Sequence, residues 1–164
     1  MIIYTPIYLH EYIGFDWVEI CIIFAFMLLP FLFLPSFEGI HADRFGERKM
    51  LMIGFFIASI STISLFFIKS TDIWIWAFAL FCTRVGAATI EVMSDVYFFK
   101  HIKPENEEWI SVFRSSPPLS YIIAPIVALV VFTLVPSFNY IFLVLGAVML
   151  KGVYLASTIK SNDI

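Results

Sequence analysis

Residues 115–150 read SSPPLSYIIAPIVALVVFTLVPSFNYIFLVLGAVML, thirty-six consecutive residues from Ser115 to Leu150 without an acidic or basic side chain. As one α-helix this stretch would reach about 54 Å, whereas the hydrocarbon core of a bilayer is about 30 Å thick. It therefore holds two crossings, and Val135-Pro136-Ser137-Phe138-Asn139 has the composition of the turn between them. Working outward, the rest of the chain is of the same kind. Of its 164 residues 61% are apolar and 14% charged, where a soluble domain carries about 25% charge. Such a chain has nowhere to hide its apolar surface in water, so its solvent is lipid. Ten Lys and Arg against thirteen Asp and Glu leave no basic patch for phosphates, which excludes nucleic acid as a partner.

The expected fold class is all-α, a polytopic membrane helix bundle with five transmembrane helices. The spans are expected at about 17–37, 50–68, 73–99, 109–134 and 138–157, with a loop at 38–49. Membrane strands are excluded because the apolar runs are too long and do not alternate. Pro30 and Pro35 in the first span, and Pro117, Pro118 and Pro125 in the fourth, are expected to bend their helices. The first nine residues are apolar but too short to cross, and they lack the basic leader of a signal peptide. They read as the end of a preceding helix. Trp74, Trp76 and Trp109 fall at span boundaries and read as interface anchors. Cys21 and Cys82 lie in apolar runs and read as small fillers.

Lys and Arg set the orientation. Arg44, Arg48, Lys49, Lys100, Lys103, Arg114 and Lys160 fall on one side of the membrane, and Lys69 falls on the other. The expected arrangement is an N-terminus outside and a C-terminus in the cytoplasm, in a plasma (inner) membrane.

The third span carries Arg84, Glu91 and Asp95. At about 100° per residue, all three return to within about 20° of one stripe. Charges in hydrocarbon are costly, so the stripe should face a cavity or partner helices. Arg84 lies about 16 Å in from Ile73, near the midplane, and is the leading substrate or coupling candidate. Glu91 is the second. Glu91 and Asp95 are like charges one turn apart, which favours holding a proton on one of them. The leading expectation, ahead of this, is that both lie near the cytoplasmic face and pair with the basic connection after the first span.

That connection reads Gly39-Ile40-His41-Ala42-Asp43-Arg44-Phe45-Gly46-Glu47-Arg48-Lys49. It resembles the loop signature of the major facilitator superfamily, G-x-x-x-D-[R/K]-x-G-[R/K]-[R/K]. Gly39, Asp43, Arg44 and Gly46 match. Glu47 departs, since the family usually has a base there, and the basic pair is shifted to Arg48 and Lys49. The resemblance implies a secondary carrier that moves a small solute by alternating access. It implies that the chain corresponds to the last five helices of a C-terminal half, or the equivalent part of an N-terminal half. The partners it implies are the bilayer, the other half on the same or a separate chain, a small-molecule solute, and protons as the candidate coupling ion. Gly39, Asp43, Arg44, Gly46, Arg48 and Lys49 would form a cytoplasmic gate, joined by Asp95.

An enzyme is not expected: H-E-x-x-H, a nucleophile elbow and C-x-x-C are missing, and His10, His41 and His101 sit in connections on differing sides. Neither cofactor nor metal is expected. The competing reading is a five-span scaffold or assembly protein that transports nothing.

Overall fold

A computed structural model describes residues 4–102, 108–135 and 137–159, with the side chains of 34–45 outside the described residues. The regular elements are helical throughout. Helix α1 (Tyr4–Tyr8) runs into a wider π-helical turn (Leu9–Ile13), followed by α2 (Trp17–Phe45), α3 (Glu47–Phe67), α4 (Ile73–His101), α5 (Glu108–Leu134) and α6 (Tyr140–Thr158).

Local chemistry sets the boundaries. The π-helical turn stops at Gly14, whose φ of 89° is left-handed, and the Gly14 and Phe15 amides both donate to the Leu9 carbonyl at 3.0 Å. Ahead of α2, the Asp16 amide donates to Glu19 Oε2 at 2.9 Å. At the start of α4, Asp72 Oδ1 accepts from the Trp74 amide at 2.9 Å. Helix α2 continues through Pro30, and α5 through Pro117, Pro118 and Pro125.

One boundary differs from the sequence expectation. Residues 38–45, read as loop, are helical, and Gly46 is the break between α2 and α3. Its φ of 78° is the cause, because only a residue without Cβ turns there at little cost. Charge in a sequence marks where a helix leaves the lipid, not where it ends.

Among the described residues four helices are long and apolar enough to cross a membrane: Glu47–Phe67, Ile73–His101, Glu108–Leu134 and Tyr140–Thr158. Trp17–Phe33 is a shorter apolar stretch.

Helix α3 is the spine, packed on α4 along one side and on α6 along another, and α4 packs in turn on α2. Small residues permit this. A Cβ on Gly86 of α4 would lie 2.5 Å from the Ala58 amide nitrogen and 2.7 Å from the Gly54 carbonyl oxygen, so the two backbones touch. Toward α6, the buried Ser59 hydroxyl donates to the Gly146 carbonyl at 2.8 Å. Lipid is as apolar as the side chains it replaces, so such close contacts and hydrogen bonds carry helix association.

The bundle has two distinct ends. At the aromatic end Tyr8 packs against Trp76, Phe138 and Phe142, with ring centroids 5.9, 5.7 and 5.2 Å away. Trp76, read from sequence as an interface anchor, is wholly buried here and donates from Nε1 to the Ser70 carbonyl at 2.8 Å. Trp74 and Trp109 are each 61% exposed, as an anchor requires. The opposite, ionic end gathers the start of α3 and the ends of α4 and α6.

Candidate functional site

Two groups of polar residues lie outside the packed spine: a charged stripe in the middle of α4 and a fastening at the ionic end.

The stripe on α4 changes character along its length. Ala77 and Leu80, on the same side as Arg84, are buried in the cluster that includes Ile20, Ile23 and Met27 of α2. Arg84 is half-buried, while Glu91 and Asp95 are exposed. The face is thus closed toward the aromatic end and open toward the ionic end. Helix α2 offers Arg84 the ring of Phe31, with the guanidinium carbon 5.9 Å from its centroid.

Across from this face stands α5, most of whose residues are exposed. It touches the bundle near its two ends. Phe113 stacks on Phe98 of α4 with centroids 4.0 Å apart and planes 7° apart, and Phe132 meets Tyr4 and Phe138 at 5.6 and 4.8 Å. Between those contacts Tyr121 of α5 lies near enough to act electrostatically on Arg84, as does Glu91. Tyr121 was not singled out from sequence. Its signal was available in retrospect: Arg114 and Tyr121 are seven residues apart and share one side of α5.

Between α5 and α6 lies a cleft of about 340 Å³ lined by Tyr4, Ser120, Ala124, Ala128, Ile141 and Leu145 among others. It contains no charged group and suits a hydrocarbon chain better than a polar solute. Among the described residues no three His, Cys, Asp or Glu side chains come together as metal ligands would.

At the ionic end Lys100 Nζ, near the close of α4, pairs with Glu47 Oε1 at the start of α3, 2.7 Å away. Arg48 Nη2 donates to the Ser157 carbonyl in the last turn of α6. That carbonyl belongs to a helix terminus, where backbone acceptors lack partners and the helix dipole is negative, so a cation fits it. Glu47 and Arg48 thus tie α3 to both of its neighbours. Glu47 is the residue that departs from the family pattern, and here it carries the ion pair.

The other gate candidates are placed as follows. Gly39, Asp43 and Arg44 belong to the backbone of α2, and their side chains lie outside the described residues. Gly46 forms the α2–α3 break, and a Cβ there would meet nothing within 4 Å, so its backbone angle is what demands glycine. Lys49 is exposed, and among the described residues Asp95 is not brought to it or to Arg48.

The sequence matches the Major Facilitator Superfamily over residues 1–160. The chain belongs to that family. No curated protein and no solved structure matches it. Membership of the Major Facilitator Superfamily makes it an integral membrane protein of the transmembrane-transport class, in agreement with its apolar helices.

Proposed function

We propose that this chain is the solute-handling part of a secondary carrier that works by alternating access. The observation that carries the reading is the half-buried Arg84, mid-helix on a stripe closed at one end and open at the other. A guanidinium in the hydrocarbon layer is tolerated where it borders water or a partner, and carrier sites lie near the midplane. Arg84 and Glu91 are the substrate or coupling residues, and protons are the candidate coupling ion through Glu91. Trp17–Phe45 completes a set of five spans. The ionic end is cytoplasmic, the N-terminus is outside, and the plasma membrane is the site of action.

A single bundle cannot alternate, since the crevice needs two walls. The second wall is a companion six-helix bundle, on the same or a separate chain. Gly39, Asp43, Arg44, Gly46, Arg48, Lys49 and Asp95 form the cytoplasmic gate. In the assembled carrier, Arg84→Ala should abolish solute uptake while expression and membrane insertion stay normal. Undiminished uptake would remove Arg84 from the site. Uptake missing from the unaltered carrier under every ion gradient would favour a scaffold.

A further inference from the structure

Arg84 has five N–H donors. Among the described residues it makes no hydrogen bond and no ion pair, and its contact is the face of Phe31. The positions that could neutralise it from its own helix, one turn either way, are Leu80, Phe81, Ala87 and Ala88. Glu91 is about 10 Å further along the axis, beyond a direct bridge. The ring of Phe31 supplies no carboxylate or carbonyl acceptor, so the guanidinium's N–H donors are available to grip a carboxylate through two parallel hydrogen bonds. Being on the same face of α4, Glu91 nonetheless disfavours a second negative charge there.

Resting on the carrier reading, we infer that the solute is a small organic monoanion whose planar carboxylate docks on the guanidinium of Arg84. One cation satisfies one carboxylate. A dianion would place its other charge toward Glu91, and a cationic solute would face the guanidinium itself.

The test uses membranes from cells expressing the full chain, treated with the arginine reagent phenylglyoxal. Modification of Arg84 is followed by mass spectrometry of its peptide. Lactate or benzoate at about ten times its half-protecting concentration should slow modification about tenfold. Lactamide and benzamide, alike in shape but neutral, should not, and succinate should protect less well than lactate. Should Arg84 react while the carboxylates fail to protect it, or protect no better than the amides, the monoanion assignment is overturned and the carrier reading stands. Succinate outdoing lactate would overturn the single charge. An Arg84 that never reacts has no aqueous crevice beside it, and both readings fall together.

Discussion

Tyr8 is 3% exposed and packs against four other rings, whereas Lys100, at the opposite end of the same bundle, is 58% exposed and holds Glu47 through a 2.7 Å contact. Ring packing is a short-range interaction that fails once the helices separate by an ångström or so. An ion pair at a surface is weak, long-ranged and easily remade with another partner. A bundle fastened by rings at one end and by charges at the other can therefore rearrange its ionic end at little cost while its aromatic end holds. The open part of the α4 stripe, at Glu91 and Asp95, lies on the ionic side, where a device that opens and closes would need it.

The comparison breaks most completely at Trp76, which is wholly buried among Tyr8 and its neighbours. Trp76→Ala removes an indole and leaves the Ser70 carbonyl without its donor. The expected loss is about 3 kcal/mol, the low end for such truncations, because lipid supplies less hydrophobic driving force than water. Denaturant titration in micelles, read by far-ultraviolet circular dichroism, measures it. A loss below about 1 kcal/mol would mean that the rings are not what closes this end.

Between the ends runs the α3–α4 seam, which both depend on. Gly86→Ala places a methyl 2.5 Å from the Ala58 amide nitrogen and 2.8 Å from its Cα, and backbone cannot yield as a flexible side chain can. The expected destabilisation is about 1–3 kcal/mol in the same titration. Gly46→Ala makes the control. Its added methyl meets nothing, so any cost comes from the left-handed backbone angle and not from packing. Equal behaviour of the variants in a cross-linking assay of the α3–α4 distance would deny that Gly86 sets that distance.

Much of this was legible in the sequence. Span lengths follow from the thickness of hydrocarbon, and the four long apolar helices lie close to their expected places. The charged stripe follows from helical geometry. Other features depend on which neighbours a residue meets, and one sequence does not contain that. Trp76 and Trp74 look alike at a helix start, yet one is buried and the other is 61% exposed, because Trp76 turns into the cluster that holds Tyr8 and Phe142 and Trp74 does not. Tyr121 gains its interest from Arg84 on another helix. Glu47 read as a flaw in a basic motif until Lys100, fifty-three residues away, came beside it. Helix α2 ran past its charged residues to Phe45 because the polypeptide turns at Gly46, not at the membrane surface.

Glu47 also yields the smallest and sharpest expected effect. Its partner Lys100 is largely exposed, so Glu47→Gln should cost no more than about 1 kcal/mol of unfolding free energy. Glu47→Lys, which restores the base usual in the family, sets two cations side by side and should cost more than the neutral change. If the ion pair is the reason for the departure, Lys100→Glu added to Glu47→Lys returns the pair with its charges exchanged and recovers most of the difference. The recovery should shrink in about 1 M salt, where the screening length falls to about 3 Å. With Lys100→Glu alone, the unaltered chain, Glu47→Lys and the double variant form a double-mutant cycle whose coupling term isolates the contact from the separate effects of the two substitutions. A coupling of zero would mean that nearness, and not attraction, put Glu47 beside Lys100. The ionic end would then hang on Arg48 and the Ser157 carbonyl, a contact that exchanging these two charges leaves untouched.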